Sequence, residues 1–204
     1  MKTKLSVILA GLFLLFQAGT VWASTITTFS VSATVPAASG VSITVDSVNS
    51  LTNAFTLLPT GTTALSFDPM TYDTTNKIYV PSVYYALNFG VAGGAGEPDV
   101  SFTYNEGTNP NGSTNGLGHK SSATFAQEAT GGETLLTAHP KTMLINVNPT
   151  HVAYTELATG SYLRVYLGVC TGSSSTDPSG CAPFTNSDAA GTYTGSLVAT
   201  ATVN

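Results

Sequence analysis

The side chains able to do chemistry are few and far apart. The three histidines, His119, His139 and His151, fall in turn-like or loop contexts. His139 precedes Pro140, and His151 follows Asn148-Pro149-Thr150. A histidine can act as a base or a ligand near neutral pH, but three scattered ones make no metal set. Glu97 with Asp99 is one close acidic pair, and Asp68 with Asp73 another. A glycosidase needs two carboxyls flanking a cleft, and the low density of acids in these strand-like contexts argues against one. There is no G-x-S-x-G elbow, no H-E-x-x-H, no phosphate-binding glycine loop and no C-x-x-C. The reading is therefore a non-enzyme, with no cofactor and no metal.

Cys170 and Cys181 enclose the ten residues TGSSSTDPSG, with a turn signal at Asp177-Pro178-Ser179-Gly180. In an oxidising compartment the simplest pairing is one structural disulfide closing a local loop, contributing roughly 2–3 kcal/mol. The compartment is inferred from residues 1–23. Lys2 and Lys4 precede the apolar run Leu5–Phe16, and Val21-Trp22-Ala23 gives a small-x-small end. That is the pattern of a secretory signal peptide cleaved after Ala23.

The elements that must position these groups read as strands. Only 8% of residues are charged while 42% are hydrophobic. That balance suits half-buried strands and polar turns rather than helices with charged faces. The net charge of −5 opposes nucleic-acid binding, which needs a basic stripe. Residues 26–35 alternate, with Phe29, Val31, Ala33 and Val35 on one face. Alternation resumes at Val41, Ile43 and Val45 after a Pro36-initiated hinge. Further strands are expected at Ala54–Leu58, Ala64–Phe67, Val83–Phe89, Val100–Tyr104, Thr142–Val147, Tyr162–Val169 and Tyr193–Val203. In the last, Tyr193, Leu197, Ala199, Ala201 and Val203 share a face. Ala123–Ala129 is read as a helical turn or two at most. The stretch 106–117 is expected to be an exposed loop, with Asn111-Gly112 and Asn115-Gly116 as candidate type I′ turns or a segment of no single structure. The fold class is all-β, an antiparallel β-sandwich.

Tyr79, Tyr84, Tyr85, Tyr104, Tyr154, Tyr162 and Tyr166 permit a sugar-binding reading, since aromatic faces on a sheet can stack on saccharides. Tyrosine is equally a good strand former.

Three segments carry a family resemblance: TFSVSATVPA near the start, ALSFDPMTYD inside, and AAGTYTGSLVATATV at the end. Together they resemble fimbrial subunits of the chaperone–usher route, of the alpha-class CS1 type or the spore coat U type. The chain departs from the latter in having no cysteine near Val41, and ends on Val203-Asn204 where many pilins have a penultimate Tyr. The resemblance implies an immunoglobulin-like sandwich, residues 37–204, lacking one strand. Residues 24–36 would be a donor strand and hinge, with Phe29, Val31, Ala33 and Val35 as knobs that fill a neighbour's groove. Their burial would contribute roughly 5–9 kcal/mol. Tyr193, Leu197, Ala199, Ala201 and Val203 would line the groove edge and meet a periplasmic chaperone. The implied partners are identical or related pilins in a head-to-tail fibre, the chaperone, an outer-membrane usher and a host receptor. The implied location is a surface fimbrium reached through the periplasm, and the implied role that of a shaft subunit. The competing reading is a self-contained secreted sandwich that binds carbohydrate or another surface, in which residues 26–35 pair with their own domain; a hydrolase with a site split across loops is a weaker third.

Overall fold

A computed structural model describes residues 27–34, 41–91, 98–129, 132–137, 142–144, 150–153, 156–157, 161–173 and 177–203. Residues 1–23, read above as a signal peptide, residues 24–26, Val35 and the hinge after it, Glu97, His139, residues 145–147 and Tyr154 lie outside them. The chain folds into strands β1 (Thr27–Thr34), β2 (Val41–Asn49), β3 (Phe55–Leu57), β4 (Ala64–Ser66), β5 (Met70–Asp73), β6 (Ile78–Pro81), β7 (Val83–Val91) and β8 (Pro98–Asn105). After a 3₁₀ turn at Leu117–His119 come β9 (Ser121–Ala129), β10 (Gly132–Leu135), β11 (Thr142–Leu144), β12 (Thr150–Val152), β13 (Tyr162–Val169), β14 (Phe184–Thr185) and β15 (Tyr193–Val203).

Two sheets make the sandwich. One runs β12-β8-β15-β1-β4. The other runs β10-β9-β13-β7-β2-β3, with β11 also on β9. A small third sheet, β14-β6-β5, accompanies them. Period-two alternation decides what each strand buries. In β13, Leu163, Val165, Leu167 and Val169 are buried while Tyr162, Arg164 and Tyr166 point outward. Facing them across the interior are Val100 and Phe102 of β8 and Leu197, Ala199 and Ala201 of β15. Phe102 joins the layers: its ring centroid lies 5.6 Å from that of Phe89 and 5.3 Å from that of Phe125, both in edge-to-face contact. Each such side chain contributes about 1.5–3 kcal/mol on burial, so this interior is the main support of the fold.

The sequence expectations for β13 and β15 agree with the observed bounds residue for residue. Ala123–Ala129 does not: it is the last seven residues of a nine-residue strand, β9. Its Ala and Gln-Glu content favours a helix locally. Eight register pairs with β13 and pairing to β10 and β11 on the other edge override that preference. His151 likewise sits in a strand, opposite Ser101, and not in a loop. The β5–β6 hairpin was not anticipated. Its turn is closed by Asp73, whose carboxylate accepts the backbone N–H of Thr75 at 2.8 Å and of Asn76 at 3.1 Å.

Candidate interaction groove

β15 is the longest strand, and both its edges are paired. On one side β8 runs antiparallel to it from Ser196↔Asn105 to Val203↔Pro98. On the other, β1 runs parallel to it from Thr27↔Tyr193 to Thr34↔Thr200. This is the one parallel ladder among the described strands. The far edge of β1 pairs antiparallel with β4 through Thr28↔Ser66, Phe29↔Leu65 and Ser30↔Ala64. β1 therefore sits in a slot between β15 and β4, which do not pair with each other. Take β1 out, and eight residues of β15 and all of β4 lose their partner on that side. Phe29, Val31 and Ala33 stand opposite Gly195, Leu197 and Ala199. Of the five groove-edge residues, Tyr193, Leu197, Ala199 and Ala201 are buried and Val203 is partly exposed.

The start of β15 is anchored by the 106–116 loop. Thr194 donates its N–H to the Thr108 carbonyl at 2.9 Å, and its hydroxyl accepts the Thr108 N–H at 3.0 Å. Gly107 has φ +70°, and a Cβ there would lie 2.0 Å from the Thr194 carbonyl oxygen; only glycine permits this approach. The loop is built on Asn109, whose side-chain oxygen accepts the N–H of Asn111 at 3.0 Å and of Ser113 at 3.1 Å. Neither expected type I′ turn forms, because Asn111 and Asn115 both have negative φ. An Asx-type bond from Asn109 supplies the turn instead. Tyr193 packs edge-to-face on Phe184 at 4.8 Å and donates its hydroxyl to the Ala189 carbonyl at 3.1 Å. Burial raises its phenol above the ordinary range.

Cys170 and Cys181 form the expected disulfide, with Cα atoms 5.9 Å apart. Asp177 organises the enclosed loop by accepting the N–H groups of Thr171 at 2.7 Å and Gly172 at 2.5 Å. Cys170, Asp177 and Cys181 also make the one metal-compatible cluster among the described residues. Its sulfurs are spent on each other, so it offers no thiolate pair. His119 pairs with Glu106, and Lys120 with Asp188 at 2.6 Å.

A second polar constellation lies on the outer face of the other sheet. The chain's single arginine, Arg164, donates Nε–H to Asn88 Oδ1 at 2.6 Å, one Nη1–H to Tyr166 at 3.3 Å and an Nη2–H to Tyr162 at 3.3 Å, and pairs with Glu128. Its guanidinium also stands over the Phe55 ring, 4.8 Å from the centroid. Asn88 donates to Thr44 at 3.2 Å and to Asp46 at 2.7 Å, and Tyr166 donates to Glu133 at 2.6 Å. Burial raises the Glu128 carboxyl above its ordinary range; Arg164 pulls it down and neighbouring Glu133 pushes it up. Burial and the hydrogen bond to Glu133 push the Tyr166 phenol up to about 12. The sequence reading named Tyr84, Tyr162 and Tyr166 but not Arg164, Asn88 or Glu128. The signal was present: Tyr162, Arg164 and Tyr166 alternate with buried residues, which puts the sole arginine between two tyrosines on one face. Of the other tyrosines, Tyr85 points inward and donates to the Ser66 carbonyl at 2.5 Å, Tyr104 stacks on Phe102 with centroids 6.4 Å apart, and Tyr79 packs on Tyr72 at 5.1 Å.

No family model matches the chain, and no curated protein matches it in sequence.

Proposed function

We propose that the protein is a structural subunit of a bacterial surface fimbria, assembled by strand exchange between copies. The supporting observation is the slot between β15 and β4, filled by the first strand of the chain itself. β1 and its successor β2 belong to different sheets, so no hairpin ties β1 into the slot. An identical strand from a second copy brings the same backbone donors and acceptors to the same slot. In its own chain β1 runs parallel to β15. Parallel ladders are slightly weaker per residue than antiparallel ones. A neighbour's strand entering in the opposite direction would keep the period-two alternation of Phe29, Val31, Ala33 and Val35, and would gain the antiparallel ladder along the eight paired residues of β15 while giving it up along the three of β4. Each backbone hydrogen bond contributes about 1 kcal/mol net. Insertion into the next copy is heterologous and does not close, so the product is a fibre.

In this reading the fold is immunoglobulin-like, with residues 24–36 as donor and hinge and residues 37–204 as the acceptor domain. Export follows cleavage after Ala23, a periplasmic chaperone holds the slot before assembly, and an outer-membrane usher orders insertion. A second reading is favoured by the same in-chain pairing: a self-contained sandwich, closed by its own β1, that binds carbohydrate or another cell surface. Native gel mobility without boiling separates the two. A ladder of high-mass bands supports the fibre; a single monomer band at every concentration, with no ladder after removal of residues 24–36 and addition of full-length chain, supports the closed sandwich.

A further inference from the structure

The outer face of the seven-stranded sheet carries a shallow recess of about 300 Å³ lined by Ser42, Thr44, Asn88, Gly90, Tyr162 and Arg164. That size is at the lower end of the range for small-molecule sites. Its floor depends on a glycine. Gly90 lies inside β7, opposite Ser42 of β2, and its backbone does not adopt the positive φ that favours glycine. A Cβ there would meet Ser42 Oγ at 3.3 Å and Tyr162 Cβ at 3.8 Å. Glycine weakens a strand interior, and one that no backbone demand requires marks a place kept open for close approach. Any larger side chain at position 90 fills the recess.

The hydrogen-bond inventory says what fits. Arg164 uses Nε–H on Asn88, Nη1 on Glu128 and Tyr166, and one Nη2–H on Tyr162. With five N–H donors, one Nη2–H remains beside the recess. Tyr162 accepts from Arg164, and its own proton has no acceptor among the described residues. Thr44 accepts from Asn88, and both it and Ser42 are exposed, leaving their hydroxyls open to a ligand. The recess thus offers a fixed guanidinium N–H, a phenol, two aliphatic hydroxyls and a partly exposed aromatic ring. Asp46, Glu128 and Glu133 set three carboxyl groups in the network around one guanidinium. An anionic ligand is repelled; a neutral polyhydroxylated one is not.

We infer that this recess is a binding site for a neutral pyranose, its C–H face against Tyr162 and its hydroxyls on Arg164, Ser42 and Thr44. The site lies on the sheet that does not contain β1, so it is independent of strand exchange, and it gives the second reading above a specific place.

Saturation-transfer-difference NMR on the soluble monomer tests it, with the methyl glycosides of glucose, galactose, mannose and N-acetylglucosamine as probes and glucuronate as the charged control. The expected result is transfer to at least one neutral glycoside and none to glucuronate. Gly90→Val, which fills the recess with a strand-favouring side chain, should abolish the signal with the circular dichroism of the fold retained. If that variant does not fold, Tyr162→Phe reads the same site, and the dissociation constant should rise at least threefold. No transfer to any neutral glycoside, undiminished transfer in folded Gly90→Val, or an unchanged constant in Tyr162→Phe overturns the proposal. Because every readout is on the monomer, these outcomes do not depend on whether fibres form.

Discussion

Val31 of the first strand and Leu197 of the last face one another in a parallel ladder, although nearly the whole chain separates them in sequence. Leu197 is simultaneously opposite Tyr104 of β8 and fully buried. The two positions belong to different partners in a strand-exchange scheme, donor and acceptor, and so respond differently to the same change. If β1 is a donor strand, Val31→Asp would place a carboxylate among the apolar residues of an acceptor slot, at a cost of several kcal/mol. In a fimbrial subunit the slot itself is intact, so the variant should be exported, captured by a chaperone and recovered as soluble subunit without fibres. Leu197→Asp damages the acceptor and should be lost before capture. Electron microscopy of the cell surface together with chaperone pull-down reads both. Normal fibres from Val31→Asp, or its misfolding before any chaperone complex, contradicts the donor role.

The disulfide gives a second prediction. Replacing Cys170 and Cys181 together by serine should lower stability by roughly 2–3 kcal/mol, the loop being short. Chemical denaturation measures this. Alkylation of both thiols in freshly isolated, non-reduced protein would show that the bridge is not formed in the cell.

Two glycines of one loop should behave unequally. Gly112→Ala meets open space, so only the positive φ of 76° counts, about 1–2 kcal/mol. Gly107→Ala adds a collision with the Thr194 carbonyl and should cost more than about 2 kcal/mol. Equal thermal shifts for the two variants would mean that the loop is not seated on β15 in solution.

Glu128 sets a pH dependence of definite sign. Burial, the largest influence, raises its carboxyl above the ordinary value of 4.5 despite Arg164. The folded state therefore holds this proton more tightly than the unfolded chain. That contribution is fully present below pH 4.5 and is lost as pH rises through the folded value. Denaturation midpoints measured from pH 4.5 to neutrality should fall less in Glu128→Gln than in the parent. Asp73 acts oppositely: the Asn76 side chain, first among its hydrogen-bond donors, lowers its carboxyl, so its stabilisation exists above pH 3.8 and vanishes as pH falls through the folded value.

Strands whose alternation is uninterrupted were legible from residues alone. Tyr162–Val169 and Tyr193–Val203 are bounded by turn residues and bury every second side chain. β9 was misread because Ala, Gln and Glu are locally helix-favouring, and what makes it a strand is pairing with β13, forty residues downstream. The first strand shows the limit of pattern most sharply. Its period two announces a strand but carries no direction, so neither the parallel ladder with Leu197 nor the antiparallel one with Leu65 can be read from it. The outer-face recess was hidden for a similar reason: Ser42, Gly90 and Tyr162 come from three strands, and only their register makes them neighbours.

The loop between β8 and the 3₁₀ turn has a rigid base and a permissive tip. Gly107 and Gly116 are wedged against backbone atoms within 2.4 Å of any added Cβ, whereas Asn111–Asn115 are exposed and Gly112 has nothing near it. A foreign peptide spliced after Gly112 would be held clear of both sheets by a base that does not yield. The protein thus comes with a built-in mounting point for epitopes, tags or affinity handles, one per copy and at a fixed orientation to β15.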